Sequence, residues 1–326
     1  MIDRRRLVAS AAASTLVLPF APAVRAQGYP ARFVRIIVPF AAGGATDVMA
    51  RVIGARLSEM WRQQVVVETR GGAGGNLGAQ MVAQAHPDGY TLLLSSVGQA
   101  VNRFMYASLG YDPIADFEPV TLVCVQPNIM VVPNASPAKS VAEFITHAKA
   151  NPDKITYGSG GIGTSVHLCG ELFKRLTGIE MRHVPYRGAG PALQDVIAGR
   201  LDVIFDNITG SLTQVQAGNA RGLAVTTLKR ANAAPEVPTL AEAGVTGFDV
   251  SAWFAFYTPA RTPVELVGRL NADIVAALGH PPVKERLAQL GADVVGSTPQ
   301  ALAQHIKAEM DKWGPVIRDA GIRVDG

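Results

Sequence analysis

The chain is poor in the residues that usually carry metal or covalent chemistry. It has two cysteines, Cys124 and Cys169, and six histidines in 326 residues. None falls at zinc-ligand spacing, so no metal site is indicated. No Gly-x-Ser-x-Gly elbow and no His-Glu-x-x-His pattern occurs, which removes the serine-hydrolase and zinc-protease signatures. Past the N-terminus there is no membrane-spanning run. The most apolar stretch, Val120 to Val132, is broken by Gln126, Pro127 and Asn128. Cys124 lies in that apolar stretch and Cys169 on a helical one. Export would permit a disulfide, but buried free thiols are the expectation.

Charge is also scarce, and the N-terminus holds most of its imbalance. Arg4, Arg5 and Arg6 precede an apolar stretch from Leu7 to Phe20, and Val24-Arg25-Ala26 fits a cleavage site before Gln27. The order reads as an export signal over residues 1–26, by the general or the twin-arginine route. The formal net charge is +4, with 30 basic and 26 acidic residues. Removing the signal takes away four arginines and one aspartate, leaving 26 basic and 25 acidic. A near-neutral mature chain has no electrostatic case for nucleic acid. A periplasmic protein is expected.

What the chain does have is apolar residues, at 48%, with 33 glycines and 21 prolines. That mixture suits short strands alternating with helices. The first such unit reads FVRIIVPFAAGGATD, Phe33 to Asp47. Val34, Ile36, Ile37 and Val38 suit a buried strand. Pro39 ends it, and Gly43 and Gly44 should leave bare amides. Thr46 or Asp47 should cap the following helix, whose apolar face is Met49, Ile53, Leu57 and Met60. A glycine turn at a helix N-terminus is an anion site in waiting, or a plain tight turn.

The alternation continues with a strand at Val65–Glu68, a glycine-rich loop from Arg70 to Asn76, a helix at Leu77–Ala85 and a strand at Thr91–Ser96. Phe117 to Val132 is extended throughout. A second set follows, with strands near 155–159, 181–186, 203–207 and 222–227 and helices between them. Ser251 to Thr258 is extended again, and two amphipathic helices close the chain. The fold class is α/β. Two extended crossings around a middle block suggest lobe I as 27–127 plus 251–326 and lobe II as 128–250, able to hinge over a ligand. Two consecutive, unrelated domains would give a similar pattern.

The second block repeats the glycine theme in Gly158-Ser159-Gly160-Gly161-Ile162-Gly163-Thr164-Ser165, just before a helix. If the lobes face each other, two helix N-termini can hold an anion between them. Gly158, Gly160 and Gly163 also match the dinucleotide pattern, so an exported nucleotide-dependent enzyme is the alternative, though the acidic partner is not clearly placed. Arg187 could fork onto a carboxylate or be a solvated strand-end arginine. Asp206 could face a ligand at a strand's C-terminal end or cap the next helix. His167, beside Cys169 on its helix, reads as structural.

These segments resemble the Bug-type receptors of tripartite tricarboxylate transporters. VRIIVPFAAGGATDVMAR, ETRGGAGGNLGA, PDGYTLLLSS, YGSGGIGTSVHLCGELF, VPYRGAGPALQDVIAGRLDVIFDN and VPTLAEAGVTGFDVSAWFAFYTPARTP fall in that family's order over nearly the whole mature chain. Two places depart from its pattern, Thr69 with Gly71 and Thr209 with Gly210. The resemblance implies a two-lobed type II periplasmic-binding-protein fold and no enzyme activity or cofactor. It implies a small carboxylate ligand, with membrane permease subunits or a sensor as partner of a monomer. Its ligand clamp would be Gly43, Gly44, Ala45, Thr46 and Asp47 from one lobe. Ser159, Gly163, Thr164 and Ser165 would come from the other, with Arg187 and Asp206 at rim or floor.

Overall fold

The computed structural model describes residues 28–152, 154–319 and 321–324. The expected export signal, residues 1–26, lies outside them. The chain opens with β1 (Val34–Val38), α1 (Ala45–Trp61), β2 (Val65–Thr69), α2 (Asn76–Ala83) and β3 (Thr91–Ser96). β1 lies parallel to both β2 and β3. Its four β-branched residues are fully buried because helices cover the sheet. Met49, Ile53 and Leu57 of α1 pack on that face, as their spacing requires, while Met60 is only half-buried.

After the short α3 (Gly98–Val101), β4 runs unbroken from Phe117 to Pro133. A second series follows: α4 (Val141–Ala150), β5 (Thr156–Ser159), α5 (Ser165–Thr177), β6 (Arg182–Pro185), α6 (Ala189–Ile197), β7 (Val203–Asn207), α7 (Ile208–Gln216) and β8 (Ala220–Val225). β5 is parallel to β6 and β7. The return strand β9 (Ser251–Pro259) pairs antiparallel with β3 and β4.

β4 therefore belongs to both halves of a curled sheet. Phe117–Pro127 pairs with β9, and Asn128–Pro133 pairs with β7 and β8. Thr226 ties the two connecting segments at the changeover. Its hydroxyl accepts from Asn128 N–H at 2.8 Å and donates to the Val250 carbonyl at 2.7 Å.

The chain closes with α8 (Val264–Gly279), α9 (Pro281–Gln289), β10 (Asp293–Val294) and α10 (Pro299–Asp319). The sequence pattern gave two helices here, and the structure separates a third, α9. Pro281 and Pro282 explain the break. They cannot continue α8, but they fit the first turn of a new helix. Both cysteines are buried and free, and Cys124 Sγ lies 3.5 Å from Met49 Sδ. No described helix is long and apolar enough to cross a membrane.

Candidate ligand-binding site

The β1–α1 loop is built differently from its sequence-based expectation. The N-cap of α1 is Gly44, with φ −85° and ψ 171° and no side-chain cap. Neither Thr46 nor Asp47 caps the helix. Asp47 sits three residues into it, and its Oδ2 reaches back to accept from Gly43 N–H at 3.0 Å. The bond resembles the acidic half of a capping box, but it reaches one residue beyond the N-cap. Its Oδ1 lies 2.9 Å from the Arg51 guanidinium. The Gly43 amide is thus already engaged. The positive φ belongs to Gly43, at +85°, and not to Gly44. The Ala41 amide is engaged as well, donating to the Arg187 carbonyl at 2.7 Å.

The β5–α5 loop is tied down by neutral side chains. Ser159 Oγ lies 2.6 Å from His183 Nε2 and accepts from Gly161 N–H at 3.0 Å. His167 Nδ1 accepts from Gly163 N–H at 3.4 Å. Thr164 caps α5, its hydroxyl accepting from His167 N–H and donating to the Gly161 carbonyl. The two imidazoles pack 4.3 Å apart, and the Tyr157 ring stacks 4.7 Å from His183. Burial pushes His167 down to about 4, helped by the Lys174 charge. Burial pushes His183 down to about 3, and His167 adds to the effect. Both rings are neutral near pH 7, so Nδ1 of His167 is free to accept.

Gly158 and Gly160 serve packing. A Cβ at Gly158 would stand 2.7 Å from Leu201 Cδ1, and one at Gly160 would stand 3.0 Å from the Ala189 nitrogen. With the Gly161 and Gly163 amides engaged internally, this loop is not a phosphate cradle.

The two loops meet around one small cavity. Its lining includes Phe40, Gly44, Ala45, Thr46, Ser96, Gly160, Thr164, Ser165, Val166, Ala189 and Asn207. Four helix starts converge there: Gly44 to Thr46 of α1, Thr164 to Val166 of α5, Ala189 of α6 and the N-cap Asn207 of α7. First-turn amides have no acceptor within their own helix, and all four dipoles present their positive ends. Among the described residues, no cationic side chain lines the cavity. Its volume is about 20 Å³, space for about one water.

Of the sequence-predicted residues, Gly44, Ala45, Thr46, Thr164 and Ser165 line this cavity. Gly43, Asp47, Ser159 and Gly163 stand behind it and shape the loops. Arg187 is exposed, and what it brings to the site is its backbone carbonyl. Asp206 is 1% exposed and lies beneath the α7 start. Its Oδ1 accepts from Asn207 N–H at 2.8 Å and its Oδ2 from Ser211 Oγ at 3.0 Å. Ser96, Ala189 and Asn207 were not among the expected site residues. Their common signal is a place at or just after the C-terminal end of a strand.

Glycines line the contact between the halves. A Cβ at Gly71 would stand 2.3 Å from the Arg187 carbonyl oxygen, one at Gly188 2.6 Å from the Ala41 nitrogen, and one at Gly190 2.8 Å from the Ala42 oxygen. Backbone meets backbone across this seam. One departure from the family pattern, Gly71, thus sits at the seam, and the other, Gly210, lies between Asp206 and the start of α1.

The comparisons with known proteins agree with this architecture. Residues 49–322 match the model of the tripartite tricarboxylate transporter family receptor. BugT of Bordetella pertussis is 37% identical over 92% of this chain and 93% of its own. The solved periplasmic binding protein BugD is 36% identical with a TM-score of 0.88, covering 90% of this chain and 99% of its own. An R. palustris protein solved with adipate is 41% identical with a TM-score of 0.88, covering 90% and 99%. MatC of Rhodopseudomonas palustris, solved with bound malate, is 34% identical with a TM-score of 0.85, covering 89% and 100%. The match to BugD over nearly its whole length identifies the fold as that of a two-lobed periplasmic binding protein. The chain belongs to the tripartite tricarboxylate transporter receptor family, and within it to the Bug-type binding proteins, which are receptors and not enzymes.

Proposed function

We propose that this protein captures a small carboxylate-bearing metabolite between its lobes and presents it to membrane permease subunits or a sensor. The observation that carries this reading is the convergence of four helix N-termini on one cavity with no cation in its lining. Such a site neutralises an anion with amides and hydroxyls. The adipate and malate named with two relatives support the carboxylate class. Gly44, Ala45 and Thr46 clamp from one side and Thr164 and Ser165 from the other. Gly43, Asp47, Ser159 and Gly163 hold the clamps in shape.

Lobe I comprises 27–127 with 251–326, and lobe II 128–250. The change of strand partners at Pro127/Asn128 supports that division. A cavity of about 20 Å³ cannot admit a dicarboxylate, so the lobes part for entry and close afterwards. The mature monomer begins near Gln27 in the periplasm.

Mass spectrometry of ligand released from purified protein tests the reading, followed by thermal shifts with adipate and malate. A carboxylic acid in the released fraction and a raised Tm are expected. A chain stabilised by no carboxylate sinks the proposal. N-terminal sequencing of envelope protein tests the cleavage, and an intact Met1 on the exported pool would refute it.

A further inference from the structure

Asp206 is an acid that the anion site does not need for its own hydrogen bonding. Its carboxyl is almost wholly buried and has no cation beside it. It is also next to the site. Asn207, the following residue, lines the cavity, as does Ala45 of the other half. Between the carboxyl and Ala45 there is only the space left by Gly210. A Cβ there would stand 2.9 Å from Asp206 Oδ2 and 3.4 Å from the Ala45 nitrogen.

We propose that Asp206 takes up a proton when an anion enters the cleft, so that carboxylate capture is coupled to protonation of this residue and strengthens as pH falls. This rests on the carboxylate reading above. An ionised Asp206 and a bound carboxylate are two negative charges in one dry site, and the protein supplies no cation between them. Protonating the aspartate removes the repulsion. The proton comes from solvent and is carried on Oδ2. Ser211 can then accept from Oδ2 and turn its own hydrogen to the Asn207 carbonyl, already 3.4 Å away.

Among the described residues, no other charge does this work. On α1, the nearest ionisable side chain is Asp47, held by the Gly43 amide and Arg51. On α5, His167 is neutral, and Glu171 pairs with Lys174 at 3.1 Å. On α6, Asp195 pairs with Arg200 at the surface. α7 carries no charged residue, nor does the part of β4 that pairs with β7; β5 has only the Tyr157 hydroxyl, bonded to Glu171. Burial raises Asp206 to about 7, with Ser211 and the Asn207 amide pulling it partly back. The group is therefore poised to titrate near neutral pH.

Calorimetric titration with adipate and with malate tests the coupling between about pH 6.5 and about pH 8.5, where small carboxylic acids are already ionised. Repeating it in two buffers of different ionisation enthalpy counts the protons. Uptake approaching one proton per ligand is expected at the alkaline end, with affinity weakening roughly fivefold or more across the range. Asp206→Asn keeps the size and the acceptor. It should bind with no pH dependence, and at least as tightly as the parent at the upper pH. Binding without proton uptake, or an Asp206→Asn protein with the parent's pH slope, overturns the coupling alone. The buffer comparison needs no variant, so a misfolded Asp206→Asn does not spare the proposal. If neither acid binds, the carboxylate reading falls and takes this inference with it.

Discussion

The β1–α1 loop and the β5–α5 loop solve one problem with opposite chemistry. Each must hold a glycine turn rigid at the start of a helix and leave first-turn amides facing the cleft. The β1–α1 loop uses a carboxylate, Asp47, held by an amide and an arginine. The β5–α5 loop uses Ser159, Thr164 and two neutral imidazoles. The difference follows from surroundings. Asp47 pairs with Arg51, which is 58% exposed, whereas the second loop backs onto Tyr157 and buried apolar residues. Charge is tolerable where water can reach its partner and is otherwise replaced by neutral hydrogen bonds. As a result, both imidazoles that shape the site, His167 and His183, stand on the β5–α5 side and are held neutral by burial.

The sharpest way to break the comparison is at Gly44. Its φ is ordinary, so valine there is not strained, but the side chain enters the cavity beside the Gly190 nitrogen at 3.6 Å. Binding should fall about a hundredfold or more, with the unliganded melting temperature nearly unchanged. Gly43→Ala should do the reverse. It meets nothing within 4 Å but must hold φ at +85°, so the expected loss is about 1–2 kcal/mol of stability. Paired melts and titrations separate the two, and equal behaviour of the variants would refute the assignment.

Next in size is the pH response. His167 has its folded pKa depressed to about 4, so its contribution is complete above about pH 6.5 and is lost as pH falls toward 4. About 2–3 kcal/mol should disappear over that window. Asp206 slopes the other way. Its raised pKa makes the fold less stable as pH rises from the ordinary carboxyl range to about 7. Denaturant melts of the parent and His167→Asn across pH check this. An acid limb of equal steepness in both proteins would place the sensitivity elsewhere.

Asp47→Ala should lower stability by about 0.5–2 kcal/mol through loss of the tie to Gly43, as a lost helix cap does. Thermal melts would show it, and an unchanged Tm would remove Asp47 from the loop's support. Smallest of all is Arg187→Ala. The side chain is exposed, and the contact across the seam comes from the backbone carbonyl. Affinity should change by less than about twofold, the scale of an isolated surface charge. A larger loss in titration would return the guanidinium to the site.

Much of this protein was legible residue by residue. The β-branched run of β1, the apolar stripe of α1 and the unbroken extended run of β4 are local signals. They depend only on the period of the chain and on backbone sterics. So are the glycine turns, whereas the break before α9 became visible only in the structure. Val203–Asn207 emerges with the bounds its sequence suggests. The capping of α1 was misread because Thr46, Asp47 and Gly44 are all good N-terminal residues. Which one ends up at the cap depends on where Gly43 takes its positive φ.

What only the tertiary structure decided is which amides remain free. The Gly161 amide is engaged by Ser159, itself held by His183 from the neighbouring strand, and the Ala41 amide by a carbonyl of the other half. Ser96, Ala189 and Asn207 reach the cavity only because the sheet brings their strand ends together. Asp206 acquires its raised pKa from burial under α7, which no neighbour in sequence announces. Sequence determined the strands and the apolar faces of the helices because propensity, period and turn chemistry are local. The site needed the fold because hydrogen-bond satisfaction and desolvation belong to everything that surrounds a group, however distant in the chain.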